Sequence, residues 1–308
     1  MALSSLPRAA ILKAADSARL HRFVQRHGMR LGAARFVAGT TLDECVAVLR
    51  RLNNTGLHAN TTLLGEAIPD PDGAAAVAAE YERILERLVA EGLLANVALK
   101  LTHLGLSFDT ETAYRNVERL VARAGRLGTF VRIDMEDHPF CEPTLEIYER
   151  LRAAGHDNVG TVLQSYLYRS PGDLERLLPL APNLRIVKGA YLEPESVAYP
   201  SKRDVDRAYV ELVERGLEGG AYIAVATHDE AIIGRVKAFA ARAKIPRDRY
   251  EFQMLFGVRP RLQREIAAEG HKVLVATPFG PDWYPYLMRR LAERPANVLF
   301  VLRNLVRR

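Results

Sequence analysis

Short runs of four to seven mostly apolar, often β-branched residues alternate along this chain with longer segments whose apolar positions recur every three or four. The first kind predicts strands over 60–66, 96–101, 129–135, 160–166, 184–189, 221–227, 250–255 and 272–277. The second predicts helices over 74–93, 111–128, 204–220 and 230–244, with Glu and Arg on the face opposite the apolar stripe. Glycines at 92, 128, 219 and 270 follow the helical segments and act as stop signals. Eight strands joined by helical crossovers must run parallel, and eight strand–helix units in about 250 residues match an α/β (β/α)8 barrel. A doubly wound open sheet is the alternative. Residues 1–55 precede the first strand and read as an N-terminal helical arm, with 56–308 forming the barrel in one domain overall.

Composition changes this picture little. Of 308 residues, 48% are hydrophobic and 26% charged, an ordinary balance for a globular chain with a sizeable core. The net charge of +6 is spread over Arg-rich helices and forms no basic block, which argues against nucleic acid. It leaves room for a peripheral attraction to anionic membrane surfaces. No run approaches the roughly 18 apolar residues of a membrane span, and the start of the chain lacks a signal-peptide core. Cys45 and Cys141 stand outside any metal-ligand or disulfide spacing, which fits a reducing cytoplasm.

Barrel active sites form at the C-terminal ends of the strands. Read in order, those ends offer Glu66, Lys100, Asp134, Gln164, Arg185 with Lys188, Thr227 with His228, Gln253 and finally Ala276. Each has a plain structural explanation. Lys100 can snorkel, Asp134 can cap the next segment, Thr227 can N-cap the next helix, and Glu66 can pair with any cation. Arg289 and Arg290 can form a solvated helix face, since neighbours on a helix point about 100° apart. Seven polar ends in eight are nevertheless more specific than any one of them, because a buried polar group is unfavourable unless paired. The excess of cations suits a carboxylate or phosphate ligand. No metal spacing, GxGxxG, Walker A or GxSxG motif is present, and "KGA" at 188–190 alone is a weak phosphate cue. A Schiff-base aldolase using Lys100 or Lys188 is a second chemical reading of the same barrel, and a catalytically silent binding barrel is a third.

Six motifs in order, "RIDMEDH" (132–138), "TVLQSYLYRS" (161–170), "LRIVKGAYLEP" (184–194), "VATHDE" (225–230), "FQMLFG" (252–257) and "DWYPYLMRRLAE" (282–293), closely resemble the monofunctional bacterial proline dehydrogenases. The resemblance runs over nearly the whole chain, including "LLGE" at 63–66. It implies a distorted (β/α)8 barrel that binds FAD and oxidises L-proline to Δ1-pyrroline-5-carboxylate, with electrons passing to a membrane quinone. By resemblance, Arg289 and Arg290 grip the substrate carboxylate with help from Lys100, Glu66 orients Arg289, and Leu255 walls the pocket. Arg185 lies beside the flavin N5 and Asp134 near the substrate ring. Met135, Gln164, Lys188, Gly189, Ala190, Thr227 and His228 match the family's FAD-binding positions. The departure is Ala276, thirteen positions before Arg289, where the family typically carries a tyrosine over the proline ring. The hydroxyproline-oxidising branch of the family carries a small residue there, so the resemblance implies relaxed or shifted specificity toward 4-hydroxyproline. The oligomeric state is not legible in the sequence.

Overall fold

The computed structural model describes residues 33–65 and 68–293, with the side chains of 289–293 outside that description. Eight parallel strands close into a barrel in strict sequence order. They are β1 (His58–Leu63), β2 (Ala95–Leu99), β3 (Val131–Ile133), β4 (Val159–Gln164), β5 (Asn183–Val187), β6 (Tyr222–Ala226), β7 (Tyr250–Leu255) and β8 (Val273–Phe279). The outer helices include α1 (Leu42–Asn53), α2 (Pro71–Ala90), α3 (Thr110–Arg126), α4 (Cys141–Ala153), α5 (Ser170–Leu177), α6 (Lys202–Glu218), α7 (Glu230–Arg242), α8 (Pro260–Ala268) and α9 (Trp283–Glu293). The open-sheet alternative is excluded by the β1–β8 pairing, which runs from His58 with Leu274 to Leu63 with Phe279.

Local chemistry explains where the elements begin. Thr41 and Glu44 form a reciprocal capping box at the start of α1. Asp70, Asp109 and Asp229 each cap a helix by accepting from its first backbone amides. Inside, Tyr81, Tyr148 and Tyr209 are fully buried between helices and strands. The Tyr81 and Tyr209 hydroxyls donate to the strand carbonyls of Ala98 and Ile186, so these large rings meet no unpaired polar cost. Ala33, Phe36 and Val37 form a separate apolar cluster with Leu64 and the α9 residues Trp283, Tyr284, Leu287 and Met288. That cluster fixes the start of α9 beside the C-terminal end of β1.

Two boundaries differ from the sequence pattern in ways that matter to the site. Strand β8 does not stop at Thr277; it continues through Pro278 to Phe279. Proline lacks a donor, but its carbonyl still accepts from Ala38 N–H at 2.8 Å and Phe279 O accepts from Leu64 N–H at 2.7 Å. Ala276 is therefore inside a strand and half-buried, not at its end. Strand β3 is only three residues long, so Asp134 and Met135 sit on the loop just beyond it.

Candidate active site

The barrel interior is polar at both levels. At the N-terminal floor, Arg132 on β3 is buried and donates through Nη1 to the carbonyls of Thr161 (2.9 Å) and Asn183 (2.7 Å). Gly160 makes room for it: a Cβ there would lie 2.4 Å from Arg132 Nη1. Burial and then the nearby Arg185 cation lower the Arg132 guanidinium to about 10. Across the floor, Glu251 pairs with Lys272 at 2.8 Å and accepts from Tyr222 Oη at 2.8 Å and Gln253 Nε2 at 2.5 Å. Burial pushes the Glu251 carboxyl up, but Lys272 and these hydrogen bonds outweigh it and hold it below its ordinary value.

One layer higher, Arg185 on β5 crosses the barrel and is 8% exposed. Its Nη1 donates to Asp134 Oδ1 at 2.6 Å, and its Nη2 donates to Asn60 Oδ1 at 3.0 Å. Asn60 Nδ2 in turn donates to Asn96 Oδ1 at 2.5 Å. Ala276 shares this layer, in register with Asn60 on one side and Leu255 on the other. Both Ala276 and Leu255 are half-buried at the mouth.

Two buried polar atoms at this level have no partner among the described residues: Arg185 Nε and Gln164 Oε1. Such atoms are rare in folded proteins and invite a bound group. An N–H donor and an amide acceptor on neighbouring strands are groups that an isoalloxazine edge can use, since it presents N5 and O4 as acceptors and N3–H as a donor. The residues present therefore fit a flavin.

Around the rim, Lys100 follows β2, half-buried, and its Nζ has no hydrogen bond or ion pair among the described residues. His103 lies on the same turn, and its ring fills the position that a Cβ on Gly65 would take, 2.3 Å away. Burial, and then Lys100, lower the His103 imidazole to about 4, so it is neutral near pH 7. Thr102 on this turn donates to the buried Glu136 through its backbone (3.0 Å) and its hydroxyl (2.6 Å). Burial raises the Glu136 carboxyl. The loop after β3 thus carries the loop that holds Lys100.

After β5, Gly189 adopts φ +111, and a Cβ there would fall 2.2 Å from the Tyr166 ring, so only glycine fits. Lys188 contacts Asp206 at 2.6 Å and Asp229 at 3.2 Å. Asp229, not Thr227, caps α7; Thr227 Oγ1 instead accepts from the Asp229 amide at 3.1 Å. His228 Nε2 accepts from Leu255 N–H at 2.9 Å, tying the end of β6 to the end of β7. Met135 is buried and Ala190 exposed, both on loops at the mouth.

The structure thus brings Lys100, Asp134, Gln164, Arg185, Leu255 and Ala276 to one end of the barrel, with Lys188, Gly189, Thr227 and His228 along its β5–β7 side. Glu66 and the side chains of Arg289 and Arg290 lie outside the described residues; the two arginines are placed only as positions on α9. Asn60, Asn96 and Glu136 were not singled out by the sequence pattern. The signal was there for Asn60, a polar residue inside a strand whose inward neighbours should be apolar.

Comparisons with known proteins bear directly on this site. The family model described as "Proline dehydrogenase" matches residues 45–303. The chain is 42% identical over 289 residues to "Proline dehydrogenase 1" of Bacillus subtilis, covering 94% of this chain and 95% of that protein. It is also 42% identical over 309 residues to "Proline dehydrogenase" of Deinococcus radiodurans, covering 99% of each. With a barrel closed in sequence order and a cationic mouth, the chain belongs to the proline dehydrogenase family. Among solved structures, proline utilization A from Bdellovibrio bacteriovorus inactivated by N-propargylglycine superposes with a TM-score of 0.80 at 23% identity, over 88% of this chain and 33% of that one. Proline utilization A from Corynebacterium freiburgense gives 0.74 at 21%, over 97% of this chain and 34% of that one. The chain spans about a third of each, and at these identities the likeness shows the fold.

Proposed function

We propose that this chain is a flavin-dependent dehydrogenase of L-proline and related imino acids, with a site opened toward 4-hydroxyproline by Ala276. The observation that carries the reading is the pair of unpartnered buried atoms, Arg185 Nε and Gln164 Oε1, beside a cationic mouth in a proline dehydrogenase chain. FAD, bound there, would supply the hydride acceptor for substrate C5, with the amine N–H proton released as the C=N bond of Δ1-pyrroline-5-carboxylate forms, and would hand the electron pair on to a membrane quinone.

The protein's own part is orientation and charge. Lys100, with Arg289 and Arg290 on α9, binds the substrate carboxylate, and Glu66 orients Arg289. Such a clamp holds the ring in one attitude and reduces the entropy lost at the reacting step. Arg185 supplies a fixed positive charge where electron density arrives, and Asp134 holds that guanidinium in place. Met135 and Gln164 bind the flavin ring system, while Lys188, Gly189, Ala190, Thr227 and His228 follow the rest of the cofactor. Leu255 walls the substrate side. Membrane contact is peripheral and uses the positive surface charge; among the described residues, no helix is long and apolar enough to cross a membrane.

The aldolase reading is disfavoured at Lys188, whose ammonium is held between two carboxylates and is a poor nucleophile there. Substrate preference is tested by comparing kcat/KM for L-proline and trans-4-hydroxy-L-proline in the native chain and in Ala276→Tyr. A ring at 276 would stand between Leu255 and Asn60 over the ligand. The variant is expected to gain about tenfold for proline relative to hydroxyproline. An unchanged ratio overturns the steric account.

A further inference from the structure

We infer that Asn60 is a positioning residue that holds Arg185 in its working orientation with a neutral hydrogen-bond acceptor, and so adds no second anion to a guanidinium already paired with Asp134. The inference rests on the flavin reading above and deepens it at one residue.

Asn60 lies mid-strand on β1 and is 1% exposed. A polar side chain that deep must be paired, and both ends of its amide are. The oxygen accepts from Arg185 Nη2 at 3.0 Å, and the nitrogen donates to Asn96 Oδ1 at 2.5 Å. The second bond decides the first. With Asn96 Oδ1 taking Nδ2, Asn60 must turn its oxygen toward the guanidinium; the reverse orientation would set donors against donors. Arg185 is consequently gripped at both terminal nitrogens, by Asp134 and by Asn60. Two contacts, from β1 and from the loop after β3, fix the plane of the guanidinium and leave Nε as its unpartnered donor.

The choice of side chain is informative. A carboxylate at 60 would hold Arg185 at least as firmly, since charge-assisted bonds are the stronger ones. It would also place a second anion on a cation already paired with Asp134. The Arg185–Asp134 pair, balanced as it stands, would then become a net negative cluster facing an electron-accepting group, and in a low-dielectric interior that change is felt. An apolar residue would leave Nη2 buried without its partner, which is unfavourable. Asparagine is the side chain that holds the guanidinium without adding negative charge to the pair.

A purely structural role and a positioning role make opposite predictions for Asn60→Asp, which preserves shape and the bond to Arg185. The experiment uses the full chain loaded with FAD and reads two quantities: the flavin midpoint potential, and kcat and KM for L-proline. For Asn60→Asp at pH 8, the midpoint potential is expected to move negative and kcat to fall about tenfold, with KM changed less than about threefold. Asn60→Ala is expected to lower kcat by a similar factor. If either variant does not fold, Asn96→Ala serves instead: it frees the Asn60 amide to turn and is expected to lower kcat about threefold with a measurable shift in potential. Asn60→Asp with native potential and kcat makes Asn60 a scaffold residue and overturns the inference alone. A native chain that takes up no flavin overturns the flavin reading, and this role falls with it.

Discussion

The floor and the mouth of this barrel are built from the same kinds of side chain and put them to different uses. At the floor, Glu251 is met by Lys272, Tyr222 and Gln253, and Arg132 by the carbonyls of Thr161 and Asn183. Each charge finds its partners within the protein. At the mouth, Arg185 keeps Nε unpartnered, Gln164 keeps Oε1 unpartnered, and Lys100 Nζ has no ion pair among the described residues. Among the described residues, unpartnered atoms also occur lower down, at Thr161 Oγ1 and Gln253 Oε1, so it is their position at the strand ends, where barrel ligands bind, that distinguishes those of the mouth. Buried charge alone does not mark a site; unspent hydrogen-bonding capacity at the C-terminal ends of the strands does.

The comparison can be broken at either end. The largest effect belongs to the mouth: Arg185→Met should keep the barrel folded and lower kcat/KM for proline by about 10²- to 10³-fold, read by stopped-flow flavin reduction. A loss under tenfold would remove Arg185 from the chemistry. The floor should respond in the other observable. Lys272→Met strands the Glu251 charge, which is 3% exposed, and should destabilise the chain by about 3 kcal/mol in urea unfolding. At a temperature where the variant stays folded, its kcat/KM should lie within about threefold of native. An activity loss matching that of Arg185→Met would show that floor and mouth are one electrostatic unit.

The fold was largely legible. All eight strands were visible as short apolar runs, because parallel barrel strands are buried on both faces and read as continuous hydrophobic stretches. The edges were less so. Pro278 argues against strand, yet β8 runs through it, since the proline contributes only a carbonyl that Ala38 uses. The short β3 could not be read from "TFVRIDM", whose apolar run is longer than its ladder. At the site, the strand-end residues Lys100, Asp134 and Arg185 were legible because charge is out of place in such a run. Asn60 and Asn96 were harder, since the meaning of Asn60 lies in its contact with Arg185 across the barrel and that of Asn96 in its bond to Asn60, which no local pattern carries. Thr227 looked like a helix cap because its spacing was right, but Asp229 stands closer to the α7 amides and takes the role.

The most direct test of the central claim, that the mouth holds a flavin and presents an imino acid to it, is an anaerobic titration of the purified chain with L-proline. The account predicts a yellow protein whose absorbance near about 450 nm bleaches as proline is added, with trans-4-hydroxy-L-proline also effective. A colourless chain that cannot be reconstituted with FAD, or a flavin that neither imino acid reduces, would contradict it.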